Sequence, residues 1–103
     1  MSDRLAQLLK LHEADPVDPF CTYAIGLEYA KAGRHDEALA WLDKTIGLDD
    51  RYCYAYFQKA RLLIERGDEA TARQVLQDGM QAARAAGDEH AYGELAGLLQ
   101  TLA

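Results

Sequence analysis

Shifted by 34 residues, this chain lays its small and apolar residues over one another: Gly33 on Gly67, Ala38 on Ala72, Leu42 on Leu76, Tyr23 on Phe57 and Ile46 on Met80. Only three identities survive between residues 18–51 and 52–85, but they fall where helices must touch. A period of this length in a chain of short helices implies a helix pair that cannot bury its apolar face alone, so pairs must stack. The pattern is densest from Ile25 to Leu42, where two helical stretches meet at Gly33. Gly26 on the first and Ala38 on the second set a small residue against a small residue, so the two backbones can approach closely.

Start and stop signals divide the chain into about six helices and no strand. Ser2 or Asp3 caps a first helix with Leu5, Leu8, Leu9 and Leu11 on its apolar stripe, and Asp15-Pro16 ends it. Asp18 and Pro19 open a second, which runs to about Ala32; the missing N–H of proline costs nothing in a first turn. Gly33 supplies a left-handed exit, and a third helix is expected from Asp36 to Leu48. A fourth from Tyr52 stops at Gly67 with Tyr56, Ala60 and Leu63 on one face. A fifth runs from Glu69 to Ala86 behind Asp68, with Ala72, Leu76 and Met80 inward. Gly87 ends it, Asp88 caps the sixth, and Leu95, Leu98, Leu99 and Leu102 line that last helix. Tyr52 to Phe57 is aromatic enough for a strand, but Gln58 to Leu63 continues it at helical period.

These residues resemble the tetratricopeptide repeat. Thr22, Ile25, Gly26 and Tyr29 stand where that family has Trp, Leu, Gly and Tyr, followed by Ala38 and Leu42. Tyr56, Ala60, Leu63, Ala72 and Leu76 occupy the same places in the second unit. Lys59 departs from the expected Leu, and its stem would have to snorkel outward. Arg4 falls where a small packing Ala is usual, and the proline that closes a unit appears only as Pro16. The resemblance implies an all-α fold of antiparallel helix hairpins stacked as a right-handed superhelix. It implies one domain over 1–103: a half-unit helix at 1–16, repeats at 18–51 and 52–86, and a capping helix at 87–103.

Composition narrows the function. A net charge of −6 argues against a nucleic-acid or anionic-membrane surface, where a basic stripe is expected. No apolar run approaches the ~20 residues that span a bilayer. Met1 to Leu5 carries no positive region leading into an apolar stretch, so a cytoplasmic location is expected. Cys21 and Cys53 form no C-x-x-C and are expected as buried thiols. His12, His35 and His90 share no metal-ligand spacing. The pairs Asp36-Glu37, Asp49-Asp50 and Asp68-Glu69 cluster at helix starts and ends, those at starts favouring the positive end of the dipole, and are assigned to capping. Gly26, Gly33, Gly67, Gly79, Gly93 and Gly97 match no phosphate loop and are assigned to close contacts or caps. No enzyme, cofactor or metal is expected.

The resemblance also implies a concave groove for peptides, lined by the first helix of each unit. Carried over position by position, it gives Phe20, Tyr23, Ala24, Leu27 and Lys31 from one unit. The other gives Tyr54, Phe57, Gln58, Arg61 and Glu65, with Ile64 adding apolar floor. Some family members grip a C-terminal carboxylate with Lys and Asn. Tyr23, Leu27 and Gln58 stand in those places here, so that clamp is absent. The expected function is a non-enzymatic adaptor for a protein or peptide segment, with weak homo-oligomerisation within a larger complex as the alternative.

Overall fold

Most helices start where the sequence supplies an oxygen for their first amides. The computed structural model describes residues 2–102, and among them are six helices and no strand. They are α1 (Asp3–Ala14), α2 (Pro19–Lys31), α3 (His35–Leu48), α4 (Cys53–Glu65), α5 (Glu69–Ala86) and α6 (Glu89–Gln100). The Ser2 hydroxyl accepts the Leu5 N–H at 3.0 Å, and the Asp18 carboxylate accepts that of Phe20 at 3.0 Å. Asp68 and Asp88 do the same for Thr71 and Ala91. Each bond satisfies an amide that the helix itself leaves without a partner.

The two helices without such a cap are the two whose starts differ from expectation. Helix α3 begins at His35 rather than Asp36, and α4 begins at Cys53 rather than Tyr52. With Arg34 and Tyr52 in the cap positions and no side-chain acceptor, backbone geometry alone sets the start. The Arg34 carbonyl takes the Ala38 N–H at 3.0 Å, which closes the first turn.

Three exits share one device. Gly33, Gly67 and Gly87 take φ of 76°, 83° and 68°, a left-handed conformation in which any Cβ would be strained. In each case the next residue's N–H reaches back across the turn: Arg34 to the Tyr29 carbonyl, Asp68 to Leu63, Asp88 to Ala83. That closure satisfies a carbonyl the helix end would otherwise expose.

The chain forms two compact units, Met1–Asp49 and Asp50–Ala103. In the first, α1 lays Leu5 and Leu8 against Cys21, Ala24 and Ile25 of α2, with Leu9, Tyr29 and Trp41 packed around them. Helix α2 then meets α3 at the expected small-residue seam. A Cβ on Gly26 would stand 3.1 Å from Leu42 Cγ and 3.5 Å from the Ala38 carbonyl oxygen. Ala38 and Leu42 are fully buried.

The second unit packs α5 against both α4 and α6, and α4 also meets α6. Ala60, Ala72, Leu76 and Leu95 are fully buried there. The closest approach is at Gly79, where a Cβ would lie 2.7 Å from Tyr56 Cβ and 3.0 Å from Leu95 Cδ2. The Tyr56 hydroxyl donates to the Asp50 carbonyl at 2.8 Å, and the Arg73 guanidinium donates to the Leu102 carbonyl. Gly93 and Gly97 correct an expectation: they lie inside α6, exposed, and a Cβ on either would meet nothing within 4 Å. They are neither contacts nor caps.

Candidate functional site

Phe20, Tyr23, Leu27 and Lys31 recur along α2 at steps of three and four, so they form one stripe. Phe20, in the first turn, is 66% exposed, the largest apolar side chain left open in the first unit. Tyr23 and Leu27 are half-buried and Lys31 is exposed. Lys31 is not idle: its Nζ lies 3.1 Å from Oε2 of Glu28. Ala24 is not on this surface. Spacing puts it on the same side as Phe20, but α1 brings Leu5 and Leu8 against it and buries it in the core.

Tyr54, Phe57, Gln58 and Arg61 form the corresponding stripe on α4. The Tyr54 and Phe57 rings meet edge to face, 6.4 Å between centroids and 68° between planes. Both are half-buried, as are Gln58 and Ile64, whereas Arg61 and Glu65 are exposed. Arg61 Nη1 donates to Gln58 Oε1 at 3.3 Å, so the polar end of the stripe is partly self-satisfied. A stripe with two aromatics, an amide and an arginine combines the residue types that anchor protein interfaces.

The sequence pattern missed Glu28. Its side chain is 9% exposed, with Arg4 Nε at 3.1 Å from Oε1 and Lys31 Nζ on Oε2. Burying a carboxylate is costly unless it is paired, and two cations provide the pairing. The available signal was Arg4 itself, a long cation where the resemblance calls for a small residue. The reason for that departure is now plain: Arg4 reaches across from α1 to α2.

The remaining reactive side chains are occupied structurally. Cys21 Sγ donates to the Leu8 carbonyl at 3.4 Å. Burial, and then the carboxylates of Asp18 and Asp15, push its thiol above the usual range. It therefore stays protonated and unreactive at neutral pH. Cys53 is likewise a buried, unbridged thiol. His12 stands edge-on to Trp41 at 4.8 Å, its Nδ1 buried without a hydrogen-bond partner, and Lys44 Nζ lies 4.4 Å above the same indole. His90 pairs with Glu94 one turn on, at 2.6 Å. No three His, Cys, Asp or Glu among the described residues are grouped to hold a metal ion. No described helix is long and apolar enough to cross a membrane.

This arrangement of helices is similar to that of solved tetratricopeptide repeat domains. A tetratricopeptide repeat domain protein from Salinibacter ruber, in its solution structure, is 26% identical over 85% of this chain and 89% of its own, with a TM-score of 0.80. Protein BPP2914 from Bordetella parapertussis is 27% identical over 99% of this chain and 89% of its own, with a TM-score of 0.83. The type III secretion translocator chaperone SycD from Yersinia enterocolitica has a TM-score of 0.87 over 97% of this chain and 70% of its own, at 17% identity. No family model matches the chain, and no curated protein does. The fold is thus tetratricopeptide-repeat-like, a fold generally used for protein interaction.

Proposed function

We propose that this chain is a non-enzymatic interaction module that binds a protein or peptide segment through the stripe on α4 or, in the first unit, the stripe on α2. The observation that carries this reading is the paired Tyr54 and Phe57 rings, half-exposed beside Arg61. Aromatic rings held against each other lose little conformational freedom on binding, and they cover large apolar area. Phe20 offers a comparable anchor at the head of the α2 stripe. The acidic net charge favours protein over nucleic acid as the partner.

The test is affinity capture from an extract of the native cell, with bound proteins identified by mass spectrometry. The double variant Tyr54→Ala/Phe57→Ala should keep its helical circular dichroism and lose most of the captured protein. Equal capture by both forms removes α4 from the binding surface, and Phe20→Ala applies the same test to α2.

A second reading is self-association, favoured by one observation. Leu11, Val17 and Phe20, 60%, 67% and 66% exposed, all fall between the last turn of α1 and the first turn of α2. Apolar residues exposed close together in the chain are candidates for a contact surface. Light scattering over a dilution series decides it: a constant monomer mass at every concentration rules this reading out.

A further inference from the structure

Within the first unit, a cavity of about 380 Å³ opens between the start of α1 and the end of α2, lined by Ser2, Leu5, Glu28, Tyr29, Lys31, Ala32 and Arg34. Its chemistry is two-sided. Leu5, Ala32 and the Tyr29 ring supply apolar wall. Lys31 and Arg34 supply charge, and Arg4 joins them through Glu28. Three of the chain's eleven Lys and Arg residues meet here, on a protein whose net charge is −6.

These cations are held rather than loose. The buried Glu28 carboxylate fixes one nitrogen of Arg4 and the ammonium of Lys31, each at 3.1 Å. Arg34 lies over the Tyr29 ring, its Cζ 5.5 Å from the centroid, and pairs with Glu37. An ammonium carries three donors and a guanidinium five, so each cation has donors beyond its one internal carboxylate. A second cavity, about 360 Å³ at the turn between α5 and α6, contrasts with it. There Arg84 donates to the Tyr92 hydroxyl and lies over its ring, and two carboxylates, Asp88 and Glu89, line the cavity where Glu28 alone lines the first.

We infer that the cavity between α1 and α2 is a docking site for an acidic peptide segment in which a glutamate or aspartate adjoins an aliphatic residue. The aliphatic side chain enters against Leu5, Tyr29 and Ala32. The carboxylate meets Lys31 and Arg34 at the rim, where a guanidinium matches its planar geometry. The apolar wall favours a peptide over a bare anion, because a small hydrated ion leaves that wall wet. Glu28 acts as a positioning residue, fixing two cations for an outside carboxylate without touching it. This site shares Lys31 with the α2 stripe of the proposed function and is otherwise built from other residues.

The experiment uses the full chain, labelled with ¹⁵N, and a blocked peptide of alternating glutamate and leucine. The expected result is saturable shifts of the Leu5, Tyr29, Lys31, Ala32 and Arg34 amides, weakening as salt is raised. Arg34→Glu should lower the affinity about tenfold or more, the equivalent of one charge-assisted contact. Arg34 is exposed, so this variant should stay folded, and an unchanged melting profile checks that. A peptide with glutamine for glutamate should leave the amides unmoved. The Tyr54→Ala/Phe57→Ala variant should bind the acidic peptide undiminished, which separates this site from the α4 stripe. The proposal is overturned by the absence of saturation at ~1 mM peptide, the weak end of measurable binding. It is equally overturned by equal shifts with the glutamine peptide, by equal shifts with inorganic phosphate at matched ionic strength, or by undiminished binding to Arg34→Glu.

Discussion

Thr22 and Thr45 in the first unit stand 34 residues before Tyr56 and Gly79 in the second. One location in the repeat therefore holds two different solutions to the same crossing of helices. In the first unit, two fully buried hydroxyls face each other at 2.7 Å. Thr22 also reaches the Pro19 carbonyl at 3.0 Å, and Thr45 the Trp41 carbonyl at 2.9 Å. Two hydroxyl protons serve three oxygen contacts, so only two of the bonds are made at a time. In the second unit, a large residue simply fills the space left by a residue without a side chain. The same contrast recurs six residues further along α2 and α4, where buried Glu28 with its two cations corresponds to buried Leu62. A repeat thus fixes where helices touch and how closely, but not the chemistry of the contact.

The largest effect should come where the two units agree. Leu42 and Leu76 are both fully buried and occupy the same position in the repeat. Leu42→Ala and Leu76→Ala should each cost about 3 kcal/mol in urea denaturation, the middle of the range for a buried leucine. Costs that differ by more than twofold would show that the two seams are not packed alike.

Next comes Gly79→Ala, expected to cost about 2 kcal/mol, since overpacking outweighs the gain in helix propensity. The clash is with Tyr56 Cβ, which is fixed to the α4 backbone, so Tyr56→Ala should not rescue it. Gly26→Ala presses on the Leu42 side chain, at 3.1 Å, and reaches the Ala38 carbonyl oxygen only at an ordinary contact of 3.5 Å, so it should cost at least about 1 kcal/mol less than Gly79→Ala. Equal costs would erase the distinction between the two crossings.

The threonine pair should respond to the loss of a hydroxyl rather than to a change of volume. Thr22→Val and Thr45→Val should each cost about 1 kcal/mol, and the double variant less than their sum. Strict additivity in that cycle would mean that the shared bond contributes nothing. The smallest effect should be a gain. Gly93→Ala and Gly97→Ala, in open positions of α6, should each raise stability by roughly 0.5–1 kcal/mol, read as a higher melting temperature.

Much of the fold was legible in the sequence because its signals are local. Asp18, Asp68 and Asp88 announce helix starts, Gly33, Gly67 and Gly87 announce ends, and Gly26 with Ala38 announces the seam. Helix α3 and helix α4 were misplaced by one residue because Arg34 and Tyr52 give no capping signal. Gly93 and Gly97 were misassigned because composition does not distinguish a glycine under pressure from one in open space. The stripes on α2 and α4 follow from helical spacing, which is why Phe20 and Lys31 fall on one line. Ala24 was misread because its neighbour is α1, whose approach depends on Leu5 and Leu8 rather than on α2. The Arg4–Glu28–Lys31 cluster was invisible for a related reason. Arg4 lies 24 residues before Glu28 in the sequence, and a charged residue on a helix is normally assigned to solvent.

The one tryptophan of the chain, Trp41, sits in the first unit between the His12 ring and the Lys44 ammonium. Its emission is consequently an optical marker for that half of the molecule alone. Loosening α1 would remove the imidazole neighbour and change the signal, while events confined to α4, α5 and α6 would be seen only through tyrosine and the far ultraviolet. The molecule carries its own means of timing one half against the other.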